Sequence, residues 1–264
     1  MEIELSRFNI NDIKDDKVVV LIGKRDTGKS FLCKDILYRH RNIPVGTVIS
    51  GTEGANQFYS KIVPKLFIHG EYTAALIHNM IKRQKMLISK VNEGETLDPR
   101  AFLILDDCLY DNAWTKDTNM RSVFMNGRHY KLLFLLTMQY ALGIPPNLRT
   151  NIDYVFILRE NYVSNRKRLY EHYAGMFPTF EMFCQVMDQC TENYECLVIN
   201  NNAKSNKLTD QVFWYKAEPH GPFKIGGAQF WKYSKENYTE EKHEGGGNNY
   251  QKKNKERFAV TKLY

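Results

Sequence analysis

Two adjacent stretches decide the fold: Val18-Val19-Val20-Leu21-Ile22, and directly after it Gly23-Lys24-Arg25-Asp26-Thr27-Gly28-Lys29-Ser30. The first stretch is apolar and rich in β-branched residues, which is typical of a strand buried on both faces of a parallel sheet. The second has the pattern Gly-x4-Gly-Lys-Ser, and residues 31–38 after it show helical periodicity. This order of strand, glycine-rich loop and helix predicts a phosphate-binding P-loop rather than a glycine turn with an incidental lysine and serine.

The residue types of this loop suit a nucleoside triphosphate, and we expect ATP. Successive backbone N–H groups of a glycine-rich loop that opens a helix can bind several phosphate oxygens at little steric cost. Lys29 would place its ammonium against the β and γ phosphates, and Ser30 would offer its hydroxyl to Mg2+. We therefore predict that residues 23–30 bind the nucleotide and that Ser30 also binds the metal ion.

A pair of carboxylates follows the apolar run Phe102-Leu103-Ile104-Leu105. A carboxylate at the tip of a neighbouring buried strand can hold Mg2+ through its water shell, and we assign Asp106 to this role. Asp107 is then placed to orient and polarise the attacking water. The alternative for Asp107 is a structural one, in which it only caps the next turn.

A glutamine follows another strand-like run, residues 132–136, at the end of Thr137-Met138-Gln139. If this strand lies between the other two, Gln139 reaches the carboxyl edge of the sheet beside the γ phosphate. An amide there can position water and phosphate. Gln139 together with Asp107 therefore predicts a sheet in which an extra strand separates the P-loop strand from the Asp106 strand.

Hydrolysis by ring-shaped P-loop motors commonly depends on an arginine from the neighbouring subunit. Such an arginine raises the rate by about a thousandfold or more. Arg128, which lies just before the Gln139 strand, is the preferred candidate, and Arg149 is the alternative. Either arginine could instead form an ordinary surface ion pair. We thus predict Asp107, Gln139 and Arg128 as the catalytic side chains.

Strand-like runs alternate with stretches of helical spacing along most of the chain. This alternation predicts βαβ units, and hence a three-layer α/β P-loop NTPase sandwich with a mostly parallel central sheet. The remaining strand-like runs are residues 47–50, 154–158, 196–199 and 212–215, and the clearest helical pattern covers residues 74–87.

With 264 residues, the chain is long enough for one large α/β domain with a modest appendage. We assign residues 15–230 to the P-loop ATPase domain and residues 1–14 to an N-terminal extension. Residues 231–264 are polar and basic, and we expect a mobile tail there. Such a tail could be a DNA-binding arm or a merely solubilising terminus.

The composition narrows the class of partner and compartment. A formal net charge of +7 favours a polyanion, either nucleic acid or an anionic membrane face. Five scattered cysteines indicate reduced thiols, and the spacing of Cys184, Cys190 and Cys196 lacks the Cys-x2-Cys pairs of a zinc site. No stretch has the length and hydropathy of a signal peptide or a membrane span, so we expect neither secretion nor a transmembrane segment.

These motifs, taken in order, resemble those of the virion DNA-packaging ATPases of large nucleocytoplasmic DNA viruses, within the FtsK and HerA superfamily of P-loop motors. The aspartate at position 107, where bacterial members have glutamate, resembles the viral branch. The similarity spans roughly residues 15 to 220 and is carried by the P-loop, Leu105-Asp106-Asp107-Cys108, Asn126-Gly127-Arg128-His129, Thr137-Met138-Gln139 and Arg149-Thr150-Asn151-Ile152-Asp153.

The resemblance implies an oligomeric, ring-shaped ATPase that pumps double-stranded DNA into a preformed capsid. It further implies contacts with viral capsid or membrane-associated portal components, and a location in the host cytoplasm, at the viral factory or with the virion. Such a motor holds DNA by its phosphates. Arg166-Lys167-Arg168, Lys252-Lys253 and Lys255 could contribute, or could be ordinary solvated basic faces.

Two other functions remain open at this point. A nucleotide or small-molecule kinase would share the P-loop and could use Arg166-Lys167-Arg168 as a lid, but it does not need Asp107 and Gln139 to activate water. A non-catalytic, nucleotide-gated adaptor is the second alternative. The complete set of Lys29, Ser30, Asp106 and Asp107 gives little reason to expect lost hydrolysis.

Overall fold

The computed structural model describes residues 3–108, 113–141 and 143–239. Within these residues the strands, numbered along the chain, are β1 (Val18–Ile22), β2 (Val45–Ser50), β3 (Ile68–His69), β4 (Ala101–Asp106), β5 (Leu132–Met138), β6 (Tyr154–Ile157), β7 (Glu195–Asn200) and β8 (Val212–Lys216). They form one sheet in the order β3-β2-β4-β5-β1-β6-β7-β8.

The sheet is parallel from β3 through β6, and β7 and β8 add to it in antiparallel fashion. Strand β5 lies between β1 and β4, with Ile22 opposite Met138 and Asp106 opposite Thr137. The predicted extra strand between the P-loop strand and the Asp106 strand is therefore confirmed. Because the strands are parallel, the P-loop, Asp106 and Gln139 all lie at the same carboxyl edge.

Helices cover both faces of this sheet. In the described part of the chain the α-helices are α1 (Lys29–Arg39), α2 (Glu53–Asn56), α3 (Ala74–Asn92), α4 (Thr118–Asn126), α5 (Pro146–Arg149), α6 (Val163–Tyr173), α7 (Phe180–Cys190), α8 (Leu208–Gln211) and α9 (Ala228–Asn237). None of them has both the length and the hydropathy of a membrane span.

The residues of β1 alternate between two separate hydrophobic cores. Val18, Val20 and Ile22 face one core, which buries side chains of α3, α4, α6 and α7. Val19 and Leu21 face the other core, which buries side chains of α1 and α9. All five residues of β1 are buried, as expected for a central strand covered on both sides. The predicted three-layer α/β sandwich is confirmed.

Helix α1 is fastened to the sheet by a buried carboxylate. Asp35 accepts hydrogen bonds from the Tyr215 hydroxyl at 2.6 Å and from the Glu218 backbone N–H at 2.9 Å. Its other oxygen lies 2.6 Å from Nε2 of His220. These contacts join the helix that follows the P-loop to β8 and to the segment after it.

All seven strand-like runs of the sequence form strands, whereas β3, which has two residues, was missed. The structure also places packed residues beyond the predicted domain limits. Phe8, Ile10 and Ile13 are buried, and the Phe8 N–H donates to the Trp214 carbonyl at 2.8 Å. Residue 231, the predicted start of the tail, lies inside α9, and residues 240–264 are outside the described residues.

Close packing of β2 against β4 requires a glycine at position 46. A Cβ built on Gly46 would lie 2.3 Å from Cγ of Phe102, whose side chain is fully buried. The Phe102 ring thus lies directly on the Gly46 backbone.

We expect Gly46→Ala to destabilise the protein by about 1–3 kcal/mol, because the buried ring would have to move away from the new methyl group. Denaturant unfolding of both proteins measures the difference. Gly70→Ala is the matched control, since a Cβ at Gly70 meets nothing within 4 Å. Equal losses in the two variants would contradict the packing argument.

Candidate nucleotide site

The P-loop connects β1 to α1 and is held tightly at both ends. The Gly23 N–H donates to the Met138 carbonyl at 3.0 Å, which ties the loop to β5. A Cβ at Gly23 would lie 2.7 Å from Oγ1 of Thr27 and 2.8 Å from Cβ of Leu158, so only glycine fits there. Gly28 has φ of 98°, a left-handed conformation that glycine adopts without strain.

Lys29 folds back into this loop. Its Nζ donates to the carbonyl of Gly23 and, at 2.9 Å, to the carbonyl of Lys24. Burial lowers the pKa of Lys29, while the nearby carboxylates of Asp107 and Asp106 raise it. A cation that has lost water and is bonded only to two carbonyls would gain from contact with phosphate oxygens.

Asp106 ends β4 and is 7% exposed. It accepts a hydrogen bond from the Thr137 hydroxyl at 2.6 Å, and the Ser50 hydroxyl lies 3.4 Å from its other oxygen. Burial raises the pKa of Asp106, and the Thr137 hydrogen bond acts in the opposite direction. The Asp106 carboxylate and the Ser30 hydroxyl line the same cavity, and both are hard oxygen ligands of the kind that fits Mg2+.

Asp107 and Gln139, predicted to act together, are in contact. The Gln139 side-chain amide donates to the Asp107 carboxylate at 3.1 Å. The Asp107 backbone N–H donates to the Thr137 hydroxyl at 3.1 Å, and the residue has φ of 46°. Thr137 therefore links both aspartates, and the left-handed backbone turns Asp107 toward Gln139 and away from the strand direction.

These groups line one cavity of about 590 Å³ at the carboxyl edge. Of the predicted site residues, it brings together Lys24, Arg25, Asp26, Gly28, Lys29, Ser30, Asp106, Asp107 and Gln139. Phe31, Thr52, Asn56 and Tyr194 line the same cavity and were not predicted. Thr52 and Asn56 follow β2, so the carboxyl-edge rule could have found them once the sheet order was known.

A second unpredicted contact fixes the start of the P-loop. The Lys24 ammonium lies 2.7 Å from the carboxylate of Glu160 and 3.7 Å from the ring centre of Tyr162. Glu160 is 5% exposed and also accepts from the Tyr162 N–H at 2.8 Å. Lys24 therefore ties the loop to the segment after β6.

The structure places Arg128 away from the candidate nucleotide cavity of the same chain. Arg128 lies before β5, at the amino edge, and its guanidinium binds the buried carboxylate of Asp153, which also accepts from the Val18 N–H at 2.9 Å. The guanidinium of Arg149 lies 5.9 Å from the ring centre of Tyr173. A role for either arginine in a neighbouring subunit stays a prediction.

Of the basic residues Arg166, Lys167 and Arg168, one is held in an ion pair and two are exposed to solvent. Arg166 is paired with Asp188 at 2.6 Å, whereas Lys167 and Arg168 are exposed on α6. Lys252, Lys253 and Lys255 lie outside the described residues. All five cysteines are free thiols, and Cys33, Cys108 and Cys196 are buried.

Comparison with known proteins gives close relatives and a shared fold. No family model matches the chain. Protein L437 of Acanthamoeba polyphaga mimivirus is 42% identical over 90% of this chain and 85% of that protein. Protein 075L of Invertebrate iridescent virus 6 is 43% identical over 88% of this chain and 90% of that protein.

Among solved structures, the genome packaging NTPase B204 from Sulfolobus turreted icosahedral virus 2, in complex with ATP-gammaS, matches with a TM-score of 0.52. The match covers 80% of this chain and 100% of that chain at 16% sequence identity. At this identity the likeness shows that the two proteins share the P-loop NTPase fold.

The position of Thr137 between the two aspartates can be tested through pH. Thr137→Val removes a bond that favours the ionised form of Asp106, so the pKa of Asp106 rises further and protonation starts at a higher pH. Because Mg2+ needs the ionised carboxylate, we expect the acid limb of Mg2+-dependent nucleotide binding to move to higher pH. Fluorescent-nucleotide titrations across the acid range measure it.

Thr47→Val in β2 is the matched control, since it makes the same change in another strand of the sheet, at a residue that does not line this cavity. An identical acid limb in wild type and Thr137→Val would show that the hydroxyl does not support Asp106.

Proposed function

The chain belongs to the viral protein family that includes mimivirus protein L437 and iridescent virus protein 075L, and we propose that it is an ATP-hydrolysing motor that packages double-stranded viral DNA into a preformed capsid. The observation that carries the proposal is the contact between Asp107 and Gln139 in the cavity that holds Lys29. A site that only binds nucleotide has no need of a carboxylate held beside the phosphate end of the loop.

The residues of the cavity have complementary roles in hydrolysis. Lys29 exchanges its two carbonyl partners for β- and γ-phosphate oxygens and stabilises charge that develops in the transition state. Asp107 orients the attacking water and accepts its proton, while the Gln139 amide keeps the carboxylate in place. Ser30 and Asp106 would hold Mg2+, which would supply positive charge to neutralise the phosphate oxygens.

Two observations support DNA as the polymer that this motor translocates: the charge of the chain and its fold. The net charge of +7 suits a polyanion, and Lys167 and Arg168 are exposed for contact with phosphates. The structurally similar protein B204 is a genome packaging NTPase. We propose further that the chain works as a homo-oligomeric ring, with capsid or membrane-associated portal components as partners, in the host cytoplasm or with the virion.

The proposal predicts that double-stranded DNA stimulates the ATPase activity, and that high salt weakens this stimulation because it weakens binding to the DNA phosphates. We expect Lys29→Ala to lower the rate by on the order of a hundredfold or more, because the cavity loses its buried cation. We expect Asp107→Asn to lower kcat by about 100-fold or more while nucleotide binding persists. Phosphate release with and without DNA measures both variants.

Lys82→Ala, which removes the same charge from the exposed face of α3, is the control and should match wild type. ATPase activity that double-stranded DNA does not stimulate and that Lys29→Ala does not remove would contradict the proposed motor function. Transfer of the γ phosphate to a nucleoside monophosphate, in place of release to water, would instead identify a kinase.

The trans role predicted for Arg128 is testable by mixing variants. If Arg128 serves a neighbouring site, Arg128→Ala should lose on the order of a thousandfold in rate. Mixing it with inactive Lys29→Ala should then restore part of the activity, because some interfaces combine an intact loop with an intact arginine. Full activity of Arg128→Ala alone would show that Arg128 has only a structural role, through its pairing with Asp153. Mixing Arg149→Ala with Lys29→Ala in the same way tests Arg149 as the alternative.

A further inference from the structure

Tyr194 lies over the P-loop in a position that hydrolysis does not use. We propose that its ring is the platform on which the base of the bound nucleotide stacks, with Phe31 as the second apolar wall of this base subsite. The inference rests on the proposed function only in that a nucleoside triphosphate binds the loop.

The sheet order places Tyr194 where the nucleoside must lie. Asp107 and Gln139 follow β4 and β5, on one side of β1. Tyr194 directly precedes β7, on the other side of β1. Since the γ phosphate faces the water-activating pair, the triphosphate runs from the β5 side toward the β6 side, and the base leaves the loop next to Tyr194.

Contact distances agree with this placement. A Cβ built on Gly28 would lie 3.4 Å from Cδ1 and 3.8 Å from Cβ of Tyr194. The ring therefore lies next to the loop, beside the residue that precedes Lys29. Phe31 is in the first turn of α1 and lines the same cavity.

Both rings are available for a ligand. The exposed fraction is 70% for Tyr194 and 46% for Phe31. Within the described residues, neither ring packs against another aromatic side chain, and the Tyr194 hydroxyl has no hydrogen-bond partner. Large aromatic surfaces beside a polar cavity are what a planar base can cover.

The backbone holds Tyr194 at some cost. Asn193 has φ of 51° and Tyr194 has φ of 64°, so two consecutive residues other than glycine are left-handed. Asparagine tolerates this conformation, but a bulky residue such as tyrosine rarely adopts it. The exposed ring makes little core packing that could offset this backbone strain. The strained turn therefore indicates a binding role for Tyr194.

Stacking of this kind recognises the face of the base. The ligand class is a nucleoside triphosphate with a large aromatic base, so purine nucleotides should bind better than pyrimidine nucleotides, and ATP and GTP should differ little.

The test compares a nucleotide with its bare phosphate chain. We expect Tyr194→Ala to weaken binding of a non-hydrolysable ATP analogue by roughly tenfold, the range measured for loss of one stacked base, and to leave tripolyphosphate binding unchanged. Tyr194→Phe should keep wild-type affinity for both. Tyr233→Ala, an exposed tyrosine on α9 outside this cavity, is the matched control.

Unchanged affinity of Tyr194→Ala for the ATP analogue would overturn the base platform. Equal weakening of both ligands would also overturn it, because the tyrosine would then only support the shape of the loop. Neither result depends on hydrolysis or DNA, so failure of this inference is distinguishable from failure of the proposed motor activity.

Discussion

The ammonium of Lys29 shares a poorly hydrated edge of the sheet with two carboxylates, and the rest of the site depends on how these charges are balanced. Burial lowers the pKa of Lys29 and raises that of Asp106, so each charged form lacks part of its hydration. Neutral groups compensate in part, since Lys29 bonds to loop carbonyls and Asp106 to the Thr137 hydroxyl. Charged ligands would stabilise both side chains more strongly.

Insertion of β5 between β1 and β4 determines how the charged groups are spaced. Asp106 lies directly opposite Thr137, so one hydroxyl can contact Asp106 and the backbone of Asp107 together. Gln139 then continues from β5 to reach the Asp107 carboxylate. If β4 were next to β1, Thr137 and Gln139 would not lie between Lys29 and the aspartates. The two aspartates would then lack the side chains that position them.

The sequence predicts that the P-loop, Asp107 and Gln139 lie together, because each of them has a strong local pattern. A strand, a glycine-rich loop and a helix are adjacent along the chain, and Asp107 and Gln139 each end an apolar run. Parallel strands then bring these ends to one edge. The same rule places Arg128 at the opposite edge, because Arg128 precedes its strand, so its pairing with Asp153 agrees with topology.

Glu160 follows the parallel strand β6, so the same rule could have found it once the sheet order was known. Tyr194 could not be found in this way, because its approach to the loop depends on a strand whose direction no local pattern predicts. Strand β7 runs antiparallel to β6, so the start of β7 rather than its end reaches the carboxyl edge. The Tyr194 ring approaches the loop at Gly28, whose left-handed φ of 98° favours glycine. The residue that shapes the phosphate loop therefore lies directly beside the aromatic ring, although the two are far apart in the sequence.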